Sequence, residues 1–154
     1  MKTLSRTCAV AGCAALLLAS AGAAVTGASA TGAAATKAAS VTVPEEGTLV
    51  ADGAGVSLSV AFDCQAGWTG GVSVDAAQTV RGHRLATGSA FSADVDCADG
   101  EESVDVTAMG AGDFAFTDGE ALVRVTMFSC DATSENCENT DATGVVQFME
   151  DSND

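Results

Sequence analysis

The chain has 154 residues and carries 21 Asp and Glu against six Lys and Arg, a formal net charge of −15. That balance repels phosphate backbones and anionic lipid surfaces, so nucleic-acid binding is excluded. With 47% hydrophobic residues, 17 Gly and one Pro, the chain can bury a single modest core.

Residues 1–30 read as a secretory signal peptide: Lys2 and Arg6 start it, an apolar run with Leu16, Leu17 and Leu18 at its centre follows, and ASA at 28–30 fits small-residue cleavage. A retained membrane anchor is the competing reading, but the run is mostly Ala and Gly and no stop-transfer pattern follows. VAGC at 10–13 has the residue types of a lipid-attachment box, yet the leucines lie after its cysteine, the wrong order for one. Processing would remove two basic residues and no acid, leaving four basic against 21 acidic residues, about −17. A secreted protein with no membrane attachment is expected. Residues 31–40 then form a linker, 41–149 one domain and 150–154 an acidic tail.

Within the domain the apolar residues alternate with period two, the signature of half-buried strands. SVTV at 40–43, continuing through TLV at 48–50, predicts the first strand. VSLSVAFDC at 56–64 turns Val56, Leu58, Val60, Phe62 and Cys64 inward, and GVSVDAAQTV at 71–80 does the same with Val72, Val74 and Ala76. VRGHRL at 80–85 suits a tight hairpin with Gly82 and His83 at the centre of a type II′ turn. FSADVDC at 91–97 places Phe91, Ala93, Val95 and Cys97 inward, and SVDVTAM at 103–109 places Val104 and Val106 inward. Phe114 and Phe116 read as core plugs on the next connection. ALVRVTM at 121–127 leaves open which of Leu122 and Val123 faces inward, and VVQF at 145–148 completes the set. Gly- and Asp-rich separators and the lack of helical spacing predict an all-β, antiparallel sandwich of about seven strands with almost no helix.

Strands that alternate in direction bring the connections at 65–71, 98–102 and 131–143 to one end, with Cys64, Cys97 and Cys130 beside them. Four cysteines remain after export, an even number suited to disulfides in an oxidising compartment. Of the three possible pairings, Cys64 with Cys97 and Cys130 with Cys137 is preferred, because either alternative ties a short loop across the sandwich. Loop-closure entropy gives the long bridge roughly 4 kcal/mol and the short one roughly 2.5 kcal/mol. CDATSENC at 130–137 fits neither a zinc site, for which the only histidine, His83, maps to the opposite end, nor a CxxC redox pair.

The cysteine end is rich in acids: Asp63, Asp96, Asp99, Glu101, Glu102, Asp131, Glu135, Glu138 and Asp141 map there without a basic residue. Calcium is one reading of such oxygens, but no DxDxDG order is present and a solvated acidic surface is the plainer account, so no metal is expected. Trp68, on the connection at 65–71, reads either as a contact residue or as a lid over the Cys64 bridge. Arg81, His83 and Arg84 cluster at the other end, where Asp113, Asp118 and Glu120 would pair with them. With one histidine, no GxSxG and no free thiol after pairing, no catalytic residue, enzyme activity or cofactor is expected.

The order VSLSVAFDC, GVSVDAAQTVRG, FSADVDC, VDVTA, GEALVRVTMFSC and a short cysteine loop before VVQF resembles small secreted immunoglobulin-like proteins of high-GC Gram-positive bacteria, over residues 41–148. The resemblance implies an immunoglobulin-like β-sandwich and no activity. The late cysteine loop is also similar, more distantly, to neocarzinostatin-type chromoprotein apoproteins, small acidic sandwiches that carry a hydrophobic chromophore. Cys64 and Cys97 depart from that pattern, so no ligand-contact residue is carried over. The expectation is a monomeric, non-catalytic domain that binds a protein or cell-envelope partner through loops fixed by two bridges, with Trp68, Asp99, Glu101, Asp131 and Glu135 as contacts. A small-molecule carrier and a purely structural envelope component are the alternatives.

Overall fold

The computed structural model describes residues 38–151. The expected signal peptide, most of the expected linker and residues 152–154 of the expected acidic tail lie outside the described residues. Eight strands fill the described part: β1 (Ser40–Thr42), β2 (Glu46–Val50), β3 (Gly55–Asp63), β4 (Thr69–Val80), β5 (Arg84–Asp96), β6 (Glu102–Gly110), β7 (Gly119–Cys130) and β8 (Cys137–Glu150). No helix occurs among the described residues.

The first predicted strand is in fact two. Pro44 has no N–H to give a ladder, and the chain breaks there. Before the break β1 pairs antiparallel with β3, Ser40 opposite Asp63. After it β2 runs parallel to β8, Glu46 opposite Gln147, while its last residues keep antiparallel pairs with β3. Strand β3 pairs with β6 along its other edge, Gly55 opposite Met109 through Phe62 opposite Glu102.

The remaining junction is narrow. β5 and β6 share only Gly88 opposite Gly110 and Ser89 opposite Met109. Glycine permits that approach, since a Cβ on Gly88 would lie 2.8 Å from the Met109 carbonyl oxygen. These two pairs close the ring β2-β8-β7-β4-β5-β6-β3. The open, wholly antiparallel sandwich read from the sequence therefore gives way to a seven-strand barrel with one parallel pair. The all-β class and both disulfides stand.

The core fills the ring, with the predicted alternation intact in most strands. Val56, Leu58, Val60, Phe62 and Cys64 of the β3 run, and Val72, Val74 and Ala76 of β4, are all buried. Val123 is buried and Leu122 is 55% exposed, which decides the phase of β7. Phe116 plugs the core edge-on to Phe148, centroids 5.4 Å apart, a pairing worth about 0.5–1.5 kcal/mol beyond its buried area. Phe114 is half-buried, with the Arg84 guanidinium 4.8 Å above its ring.

One inward position of β4 is polar. The Gln78 amide donates to the Thr117 carbonyl at 2.7 Å and its oxygen accepts from the Thr117 N–H at 2.8 Å. This buried side chain therefore satisfies backbone of the β6–β7 connection that would otherwise lack partners.

Three further expectations change. Phe91 points outward, 59% exposed. The cause is a bulge: Gly70 pairs with Val95 but Gly71 pairs with Ala93, so Asp94, at φ 64°, is an extra residue. One inserted residue inverts the phase of the strand before it, and Ala86, Gly88 and Ala90 become its inward set. The hairpin at Val80–Arg84 has three loop residues, with both Gly82 and His83 in the left-handed region, rather than a two-residue type II′ turn. Finally, the connection expected at 131–143 shrinks to 131–136, because β8 starts at Cys137 and pairs with β7 from Cys130 onward.

Candidate binding surface

The register gathers three connections at one end. Thr69, the first residue of β4, pairs with Asp96 on one side and Cys130 on the other, and Cys130 pairs with Cys137. The connections between β3 and β4, β5 and β6, and β7 and β8 therefore leave the barrel side by side.

Both expected bridges are formed. Cys64–Cys97 has its Cα atoms 5.5 Å apart, and both cysteines are buried. It joins the ends of β3 and β5, which are not ladder neighbours, across the mouth of the core. Trp68 closes the same corner. Its carbonyl accepts from the Cys97 N–H at 2.9 Å, the Gly67 N–H donates to the Cys97 carbonyl at 2.8 Å, and its half-buried ring packs on the core. Trp68 is thus held at this corner by its backbone, with its ring partly buried against the core and partly exposed.

The second bridge, Cys130–Cys137, links two residues directly opposite each other on adjacent strands, Cα atoms 4.1 Å apart. The six-residue loop above it is ordered by one carboxylate. Asp131 accepts from the Thr133 N–H at 3.0 Å, the Thr133 hydroxyl at 2.8 Å, the Glu135 N–H at 3.2 Å and the Asn136 amide. The Asn136 and Thr133 side chains, helped by the loop amides, hold its carboxyl well below the usual range, at about 2. Asp131 is thus a loop organiser, a role its sequence position alone did not disclose.

Asp99, Glu101 and Glu135 are exposed around this end. Asp141 is not with them. It lies inside β8 opposite Thr126, 3.5 Å from the Arg124 guanidinium, because β8 is longer than predicted. Among the described residues no three His, Cys, Asp or Glu side chains converge as a metal ion would require. His83 sits on the β4–β5 hairpin at the opposite end.

A feature the alternation did not reveal lies on the outer face of β5, β4, β7 and β8. Phe91 and Phe128, 59% and 41% exposed, reach from β5 and β7 toward each other over β4, their rings parallel and 6.0 Å apart. They meet above Gly71, where a Cβ would come within 3.0 Å of each ring. The signal that could have found the pair is the bulge, since a glycine doublet facing a FSAD run marks a place where strand phase changes.

Two disulfides place the maturation of this chain in an oxidising environment, and no helix among the described residues is long and apolar enough to cross a membrane. The sequence matches no protein-family description and no curated protein.

Proposed function

We propose that the chain is a secreted, non-catalytic, immunoglobulin-like module that binds a protein or cell-envelope partner through its cysteine-bearing end. The observation that carries this reading is the joint fixing of three neighbouring connections, two by the buried Cys64–Cys97 bridge beside Trp68 and one by a cross-strand bridge beneath a loop tied to Asp131. Loops ordered before binding lose little entropy on binding, which is where flexible loops forfeit affinity. The first strand's split at Pro44 supports the immunoglobulin-like description, since the bend lets a strand that pairs with β3 on both sides of it gain parallel pairs with β8 beyond it.

The test starts with native protein from culture medium and identification of what co-purifies by mass spectrometry. Asp99→Asn, Glu101→Gln and Glu135→Gln are then combined, all three being exposed and free of core contacts. Affinity for the co-purifying partner should fall about tenfold or more. Unchanged affinity would refute the assignment of the contact to this end.

A further inference from the structure

We infer that the outer face of β5, β4, β7 and β8 is a docking surface for a cationic protein segment, one bearing Arg or Lys side chains, with the Phe91–Phe128 pair as its anchor. The inference rests on the reading of the chain as a binding module and names both a second contact face and the chemistry of what it takes.

The rungs of this face follow from the register. Asp96, Thr69, Cys130 and Cys137 form the first, and Ser73 with Phe91 on one side and Thr126 then Asp141 on the other form a lower one. Phe128 lies between them beside Gly71, and Asp75 pairs with both Ser89 and Arg124 below. Leu122 opposite Val145 forms a separate exposed apolar pair, about 20 Å along β7 from Phe128 beyond Thr126 and Arg124. A pair of large rings held outward on a rigid sheet, seated on a glycine that no other residue could replace without displacing them, is the composition of a binding hot spot.

Charge selects the occupant. Asp75, Asp94, Asp96 and Asp141 are exposed around the rings. The cation of this face, Arg124, is already engaged by Asp141 at 3.5 Å. A second copy of the chain would bring the same negative surface, and nucleic acid, anionic glycan or anionic lipid would be repelled in the same way. A segment carrying Arg or Lys meets carboxylates for its charge and aromatic faces for its cation. The chain itself makes such a contact elsewhere, with Arg84 over Phe114 at 4.8 Å.

The test titrates the full exported chain, both bridges intact, with three synthetic peptides of equal length in which leucine alternates with arginine, lysine or glutamate. Calorimetry should detect the arginine and lysine peptides and not the glutamate one, with affinity falling about tenfold as salt rises past the physiological range. Amide shifts should move at Ser73, Phe91, Thr126 and Phe128. Phe91→Ser and Phe128→Ser should each weaken binding about tenfold. Because the rings also cover Gly71, the charge variant Asp75→Asn with Asp141→Asn, which leaves them in place, should weaken it several-fold at unchanged thermal midpoint. No binding of either cationic peptide, equal binding of the glutamate peptide, or a dimer in sedimentation that Phe91→Ser dissociates would each overturn the inference. If cationic peptides bind but only the Asp99, Glu101 and Glu135 variants weaken them, this face is wrong and the cysteine-end reading stands. If the Phe91 and Phe128 variants alone lose a co-purifying basic partner, the reverse holds.

Discussion

Asp131 shows how much a single side chain can organise when the backbone around it is short of partners. The six residues between β7 and β8 cannot satisfy their own amides in a ladder, and the carboxylate collects four donors from three of them. Those bonds favour the ionised form, chiefly the one from Asn136 and next the one from Thr133, so the folded pKa sits at about 2 against an ordinary 3.8. A carboxylate whose folded pKa is depressed stabilises its surroundings above the ordinary value and loses that effect as pH falls through the folded one. The loop should therefore be held firmly above about pH 4 and loosen progressively between pH 4 and pH 2. Carbon-detected NMR titration should give Asp131 a midpoint near 2, and the Thr133 and Glu135 amides should lose exchange protection over the same interval. A midpoint near 4 would mean that the loop is not built on this residue. The Cys130–Cys137 bridge keeps the strands joined throughout, so the change should stay local to residues 131–136.

Strand β5 carries the main lesson about what alternation can and cannot disclose. Period two was legible wherever a strand ran without interruption, as in β3, where the inward set read from the sequence is the buried set observed. It failed in β5 because Asp94 is an aspartate in the left-handed region, and an aspartate between alanine and valine does not announce a bulge by itself; the signal lies on the facing strand, in the Gly70–Gly71 doublet. It failed in β8 for a different reason: residues 137–144 are polar or small, and their inner side is only half-buried, as where Gly144 receives Val43. A pattern of burial that the side chains do not need is not written in hydropathy. The cysteine pairing was legible because strand ends and parity left one arrangement without a strained loop, while the exposed Phe91–Phe128 pair was hidden by the bulge that creates it. Asp94→Val tests that account. A β-branched residue at φ 64° should cost about 1–2 kcal/mol. Asp94→Gly, free of that strain, should stay within roughly 0.5 kcal/mol of the parent. Urea unfolding measures both, and equal stability of the Val and Gly variants would show that the bulge relaxes away in solution.

For the molecule as a whole, the two ends of the barrel are closed by different means. At the end carrying the hairpin and the Gln78 clamp, hydrogen bonds do it: β2 joins β3 to β8, and Gly88 with Gly110 joins β5 to β6. Toward the cysteine end those ladders stop. The β5–β6 pairing ends at Ser89, so residues 90–96 and 102–108 run on as edges without pairing to each other, and the Cys64–Cys97 bridge spans the gap by tying β3, the far neighbour of β6, to β5. The crosslink thus replaces a missing ladder as well as restricting the unfolded chain. Its removal should then be felt in two ways. Cys64→Ala with Cys97→Ala should lower stability by roughly 4 kcal/mol from loop entropy alone, and amides of residues 90–96 and 102–108 should exchange faster than those of β7 even where the protein remains folded. Cys130→Ala with Cys137→Ala should cost no more than about 2.5 kcal/mol and leave those two segments protected, because β7 and β8 stay paired along their whole length. Hydrogen exchange read by mass spectrometry on both variants separates the possibilities: uniform loss of protection in the first would mean that the bridge acts only on the unfolded state, while selective opening of β5 and β6 would identify it as the closure of the barrel at its cysteine-bearing end.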